Sequence, residues 1–415
     1  MPSSRMTFLA FLAAGLAAAL ALQSGQAQEP RKPAAEAAPP ARVVLQTEDV
    51  DADACRAFVN GVETKPNAQD ILSVLGIGDS GRRWMAGLTS WEHKTFQYLL
   101  VFKKPVEAGS MFLYAPNVEV SALKDGVELP KDPREATAWM AVPIPAKQPA
   151  ARLAPFPKGL RTRAFLFTDA RDDGASAIDR IVFYKPRLCN LVPFGVANAQ
   201  SEYTAYPNQA PPFTYYTRRV TDGVGNWQNT GPDKEKRIPR PPLDIDPCWF
   251  TISWDEPKPI LGLYMEDNFD QFELAEYTGP EGLNPAVATE KEWSKIRKFT
   301  SAPAGGKGRW VFFEPRTTRG LRLKILAATP PQVANIAALH AYTDLGDQPV
   351  PEWKPGAEEP PLRIPYALAE DGIMTLAIED AQGKRVRNLA ARIERNKGQN
   401  AEPWNLKDEK GNAVG

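Results

Sequence analysis

The chain has 415 residues, with 50 basic and 50 acidic side chains and a formal net charge of zero. That balance leaves no basic excess for a nucleic-acid backbone and no acidic tail. Forty prolines, nearly twice the usual share of about 5%, exclude a fold of long helices and favour short strands joined by loops.

The N-terminal stretch carries Arg5, an apolar run from Phe8 to Leu22, and the small residues Gly25 and Ala27 at the −3 and −1 places of a cleavage site. Residues 1–27 therefore read as a secretory signal. The run is about 15 residues, short of the roughly 20 that span a bilayer. No later stretch is apolar enough to cross a membrane, so the mature chain is expected to be secreted, periplasmic or held at the cell surface. Residues 28–41 are a Pro/Ala linker without apolar period.

From there the chain repeats itself weakly. Asp79-x4-Trp84 recurs as Asp222-x4-Trp227; "YLLVFKKPVEAGSMFLY" answers "FTISWDEPKPILGLYM", with Pro105 and Pro257 at the turns. "GLRTRAFLF" from Gly159 answers "GLRLKILAA" from Gly320, and "IDRIVFY" from Ile178 answers "IAALHAY" from Ile336. Four cues in one order predict two copies of one domain, over 42–192 and 193–346. Phe250, Ile252 and Trp254 alternate with Trp249, Thr251 and Ser253, the period of a strand with one buried face. The best short helical candidate is "EKEWSKIRKF" from Glu290. A long polar stretch, Tyr203 to Pro247, has few strand signals. A Pro-rich linker, 347–361, leads to a last segment, 362–415, in which Met374, Leu376 and Ile378 alternate with polar or small residues. The expected class is all-β: two jelly-roll sandwiches and an incomplete Ig-like sandwich.

The Asp/Trp loop, the strand after it, the Leu-Arg strand "RGLRLKIL" and the closing strand resemble the discoidin family, also called coagulation-factor type C or galactose-binding-like domains. The last segment resembles the Ig-like domain of the flagellar hook-capping protein. Its matching features are Gly372, the turn at Gly383, "VRNL" from Val386, Gly398, Trp404 and "DEKGNAVG" from Asp408. That family continues with a Tyr-bearing strand after the position of Gly415, so the resemblance implies an incomplete sandwich here. Discoidin-like domains bring their two ends together, often with a bridge, which implies pairing of Cys55 with Cys189. They often carry a structural calcium, which would be the only resident ion, and no other cofactor is expected. They bind ligands through loops at one end of the sandwich.

Read from the residues alone, Cys55, Cys189 and Cys248 match no zinc spacing and permit either one disulfide or three buried thiols. The two histidines, His93 and His340, lack a partner spaced for a metal site, and His340 sits in an apolar strand. "GDSG" from Gly78 is a polar turn: both histidines follow Ser80, reversing the order of the serine-protease triad. "DVDADA" from Asp49 lacks the glycine and glutamate of a calcium loop. "MEDNFD", with Glu266, Asp267 and Asp270, is an alternative acidic cluster. No phosphate loop or dinucleotide fingerprint occurs. The remaining functional material is aromatic. Arg82, Arg83, Trp91 and His93 in the first copy, with Asp222 and Trp227 in the second, form the candidate ligand-binding set. Tryptophan faces stack on sugar rings while charged groups hold hydroxyls. The recurrence of Trp84 and Trp227 equally fits core packing. The leading expectation is non-catalytic recognition of a glycan or cell-surface polymer. The alternatives are a structural or adhesion spacer, and accessory modules of a longer enzyme or propeller protein.

Overall fold

A computed structural model describes residues 37–78, 81–86, 94–115, 118–133, 135–143, 151–171, 176–200, 227–228, 243, 247–281, 283–300, 308–329, 334–352, 362–395, 397–404, 406–408 and 412–414. The expected signal lies outside them. The fold is all-β. Among the described residues no helix is long and apolar enough to cross a membrane.

The first sandwich contains β1 (Arg56–Val59), β2 (Val62–Thr64), helix α1 (Ala68–Val74), β3 (Trp84–Met85), β4 (Lys94–Glu107), β5 (Ser110–Tyr114), β6 (Val118–Leu123), β7 (Trp139–Ala141), β8 (Ala151–Pro155), β9 (Arg161–Arg171), β10 (Ala177–Ile178) and β11 (Arg180–Tyr184). A six-stranded sheet ordered β2-β1-β4-β9-β6-β7 faces a three-stranded sheet ordered β11-β5-β8. Between them Phe102, Phe156, Phe165 and Phe183 form an aromatic cluster, with Phe165 stacked on Phe183 at 5.2 Å. Asn67 caps α1 by accepting from the Gln69 amide at 2.9 Å, and Ile71 and Val74 bury its inner face.

The second sandwich contains β12 (Leu188–Asn190), β13 (Val196–Ala199), β14 (Trp227–Gln228), β15 (Cys248–Asp267), β16 (Phe269–Tyr277), β17 (Trp293–Phe299), β18 (Arg309–Ala328) and β19 (Asn335–Asp344). Its strands run β12-β19-β15-β18-β16-β17, with β13 on β15 and β14 on β19. β15 and β18 are each 20 residues long and serve both layers. Their shared ladder shifts register between Ser253 and Lys258, and there the paired strands pass from one layer to the other.

The two copies correspond pairing by pairing. Trp84 lies opposite Ile178 and Trp227 opposite Ile336. β5 joins β11 as the second half of β15 joins β19. Thr162 Oγ1 donates to Leu123 O and accepts from the Ala164 amide; Thr318 Oγ1 donates to Tyr277 O and accepts from the Gly320 amide. This last match corrects one sequence cue. Thr318 answers Thr162, an offset of 156, whereas the shared "GLR" strings sit 161 apart. The strings are out of register because the first copy has a turn between β8 and β9, with Gly159 at φ 73°, while β18 runs straight through. A second correction concerns the boundary at 192. β12, placed in the first copy by that boundary, pairs Leu188–Asn190 with Tyr342–Asp344 of the second. A third concerns the helix expected from Glu290. It is a single 3-10 turn, Glu290–Glu292, followed by β17. The β16 ladder takes up β17 as an edge strand, and tertiary pairing overrides the local pattern.

The implied Cys55–Cys189 bridge is absent. All three cysteines are free and buried. Cys55 sits inside the first core, its sulfur accepting from the Val101 amide at 3.3 Å, whereas Cys189 lies in β12 of the second sheet, opposite Thr343. The copies close their ends by strand pairing instead: Arg42 bridges Tyr184 in the first as Asn190 pairs with Tyr342 in the second. Burial pushes the Cys55 and Cys189 thiols up to about 12. A thiol-reactive disulfide reagent at pH 8 is therefore expected to find no reactive thiol in the native chain and all three after denaturation. A denatured chain releasing only one equivalent without reductant would restore the bridge.

The last segment contains β20 (Leu362–Leu368), β21 (Gly372–Glu379), β22 (Arg385–Arg395) and β23 (Gly398–Trp404), paired as β20-β23 and β21-β22. The expected turn at Gly383 is present: φ is 77°, and Asp380 Oδ1 accepts from the amides of Gln382 and Lys384 at 3.0 and 2.9 Å. The two pairs of strands are tied together by charge. Arg395 on β22 donates to Glu402 on β23 at 2.7 and 3.0 Å, and Tyr366 on β20 donates to the same carboxylate at 2.8 Å. Met374, Leu376 and Ile378 are only half-buried.

Candidate functional site

The loop end of the first sandwich is built on Trp84. Its ring is 1% exposed and meets Tyr98 edge-on at 5.2 Å. Tyr98 then clamps both neighbouring loops: its hydroxyl donates to Ser176 O at 2.7 Å and accepts from the Ala86 amide at 3.3 Å. The residue before Trp84 must point the other way, since side chains alternate along an extended backbone. Arg83 is accordingly 56% exposed in its side chain. It makes a two-point contact with Asp179, Nε to Oδ1 at 2.5 Å and a terminal nitrogen to Oδ2 at 3.1 Å. The pair fixes the guanidinium plane at the rim and leaves further donors free to face outward. Arg82 is tied to α1: its amide donates to Ser73 Oγ at 3.1 Å and its guanidinium lies 3.5 Å from Asp70. Met85, 37% exposed, adds an apolar patch beside Arg83.

Trp91, His93 and Asp222 lie outside the described residues. Trp227 is a correction. It is fully buried and packs against Phe250 at 5.1 Å, because β14 pairs with the inner end of the closing strand. It is core, as Trp84 is, and recurrence in both copies was the signal for it. His340 is likewise a packed strand residue, 0% exposed; burial pushes its imidazole down to about 3, so it stays neutral.

The acidic cluster of "MEDNFD" does not converge. Asp267 is bound by Arg309, Nε to Oδ2 at 3.0 Å, and accepts from the Phe269 amide at 2.8 Å. Asp270 accepts from Thr329 Oγ1 at 3.1 Å. Glu266 accepts from Tyr264 at 2.9 Å. Three carboxylates serve three separate partners, and among the described residues no group of three His, Cys, Asp or Glu side chains is placed to hold a metal.

Sequence reasoning missed Asp179 and Tyr114, and it placed Glu266 in an acidic cluster rather than at the contact between the sandwiches. Asp179 stands just ahead of β11, 96 positions from Arg83, and only the β3-β10 pairing brings them together. Tyr114 and Glu266 meet where the two sandwiches touch. Glu266 accepts from Tyr264 at 2.9 Å and lies near the Tyr114 hydroxyl, yet burial outweighs both and its carboxyl lies above the usual range. Burial, then the charges of Glu266 and Asp179, raises the Tyr114 phenol.

No protein-family model matches the chain, and no curated protein matches it. Solved structures do. One is chitosan-binding module 1 from a chitosanase/glucanase of Paenibacillus sp. IK-5, 15% identical, covering 37% of this chain and 97% of that one, with a TM-score of 0.28. Another is a fucolectin from striped bass (Morone saxatilis) serum, 11% identical, covering 63% and 85%, with a TM-score of 0.26. A third is the CBM32-1 and CBM32-2 domains of Clostridium perfringens ZmpB, 9% identical, covering 73% and 94%, with a TM-score of 0.25. Similarity at this level carries no ligand to this chain, and the fold stands on its own strand pairings.

Proposed function

We propose that this chain is an exported, non-catalytic glycan-binding protein that recognises a carbohydrate or cell-surface polymer through the loop ends of its sandwiches. The observation that carries this reading is Arg83. It is exposed, oriented by a two-point contact with Asp179, and set beside the apolar Met85 on a scaffold that Trp84 and Tyr98 make rigid. A planar donor and an adjacent carboxylate acceptor match the alternating hydroxyls of a sugar ring, while an apolar neighbour suits its C–H face. The signal expected from the sequence at 1–27 fits the same reading. The last segment is then an Ig-like spacer carrying the two sandwiches.

Screening the full-length mature chain on a glycan array, followed by calorimetry on the hits, tests this. Arg83→Ala is expected to weaken binding about tenfold or more, from a loss of roughly 1.5–3 kcal/mol for a charge-assisted hydrogen bond. Arg83→Lys should recover little of it, because ammonium cannot reproduce the planar fork. Undiminished binding by Arg83→Ala would remove this site, and an array without hits would remove the function.

A further inference from the structure

Three neighbouring strands of the second sandwich bring one row of rings to the same face. Trp310 on β18 lies opposite Tyr264 on β15, and Tyr264 lies opposite His340 on β19. Directly paired residues share a face of a sheet, and side chains alternate along a strand. Leu339 and Ala341 therefore turn into the second core, while His340 turns away from it. That outer face does not meet solvent, because the first sandwich covers it. Phe112 lies 4.9 Å from Tyr264 and 5.3 Å from Trp310, and Tyr184 lies 5.9 Å from Trp310. With Ala151, Leu153 and Tyr342 these rings form a third apolar core, a seam between the sandwiches.

His340 is sealed in this seam. It is 0% exposed, its ring lies 5.4 Å from that of Tyr264, and neither ring nitrogen makes a hydrogen bond of normal geometry among the described residues. The backbone of Ala151 on β8 favours the charged form only weakly, and burial overrides it. The imidazole therefore fills space as a neutral ring. Protonating it there would set an unpaired charge among aromatic side chains. The ionisable groups around it offer no remedy. Tyr114, Tyr184, Tyr264 and Tyr342 are phenols that burial raises. The carboxylate of Glu266 is taken up by the Tyr264 hydroxyl at 2.9 Å, and Asp179 by Arg83. Arg152 on β8 donates to Val118 O, Arg187 to Phe156 O and Arg309 to Asp267. Arg42 and Arg180, beside Tyr184, are cations and would repel an imidazolium.

We infer that the seam is an acid-labile joint: protonation of His340 loosens the contact between the sandwiches while each sandwich keeps its own core. Burial holds the imidazole down at about 3 in the closed seam, and opening returns it to its ordinary value of 6.5. The closed joint then binds fewer protons than the open one. Its stability is full above about pH 6.5 and falls as pH drops towards 3, by up to about tenfold in the open-to-closed ratio per pH unit. Glu266 acts in the opposite sense. Burial raises its carboxyl, so it takes up a proton more readily in the closed seam, and through it acid favours closure.

Thiol labelling of the full-length mature chain tests this. Leu153→Cys, at a position that is 0% exposed in the seam, reports opening of the joint, and the native Cys55 reports opening of the first core. Both are labelled with 4,4′-dithiodipyridine between about pH 7.5 and 4.5 and mapped by mass spectrometry. Each rate is divided by that of the same thiol in the urea-denatured chain at the same pH, which removes the reagent's own pH dependence. From pH 6.5 to 4.5 the seam thiol should become about a hundredfold more accessible, tenfold for each unit, while Cys55 stays protected. Glu266→Gln, which removes the opposing titration, should steepen the profile. His340→Phe should flatten it, and His340→Leu should do the same without the bulk of a ring. A flat profile in Leu153→Cys, a slope that survives both His340 variants, or parallel exposure of Cys55 overturns the joint.

Discussion

Trp227→Ala is expected to destabilise the chain by about 3–5 kcal/mol, the range for truncating a buried aromatic side chain. Trp227 is fully buried against Phe250 and anchors the short β14 to the closing strand. The lost volume has no route to collapse, because Phe250, Phe272 and Ile325 around the same core are themselves 0% exposed. Trp84→Ala should behave alike through Tyr98. Urea denaturation of the full chain checks both, with Arg83→Ala as the contrast. An exposed pair is worth about 0–1 kcal/mol, so that variant should keep wild-type stability. A Trp227→Ala chain as stable as wild type, with weakened glycan binding, would return Trp227 to the ligand set.

Asp267→Ala is expected to be as damaging for a different reason. The Asp267 side chain is wholly buried and that of Arg309 is 15% exposed. Arg309 also donates to Phe269 O at 3.2 Å and lies 4.9 Å over the Phe272 ring. Removing the carboxylate leaves a guanidinium sealed among aromatic side chains, and breaking a buried pair from one side costs about 3–5 kcal/mol. Burial raises the Asp267 carboxyl more than Arg309 lowers it, so desolvation outweighs the attraction within the pair. The double variant Asp267→Leu/Arg309→Met should therefore recover most of the loss. Denaturant midpoints of the two single variants and the double variant decide this. A double variant as unstable as Asp267→Ala would show the pair to be net stabilising.

The sequence carried the fold further than the site. Period-two alternation at Phe250, Ile252 and Trp254 marked a strand, and all three side chains are buried. Proline at 105 and 257, read as turns, instead lies inside the continuous strands β4 and β15, each at a register shift of its ladder. Trp84 and Trp227 recurred because each plugs the same hole in its copy, so the most visible aromatic signal reported packing rather than recognition. The rim was hidden. Asp179 is an ordinary acid in sequence, and it acquires a role only when β10 pairs with β3. Glu266 belonged to a run of acids that looked like one cluster. In an extended strand neighbouring side chains leave on opposite faces, so Glu266 turns to the seam and Asp267 to the core. The bridge from Cys55 to Cys189 came from family likeness, and strand pairing at Arg42 and Asn190 does that work here.

Only Lys185, Pro186 and Arg187 separate β11 from β12. Three residues reach roughly 10 Å when fully extended. Arg187 is further held, donating to Phe156 O in the first sandwich and to Gly346 O and Gln348 O beyond the second, each at 2.8 Å. Exchange between chains would seat the first sandwich of one on the second sandwich of another. The short tether works against that. It holds the correct partner within a few ångströms from the moment both halves fold, at an effective concentration no neighbouring chain in dilute solution can match. The two sandwiches therefore close on each other within a single chain.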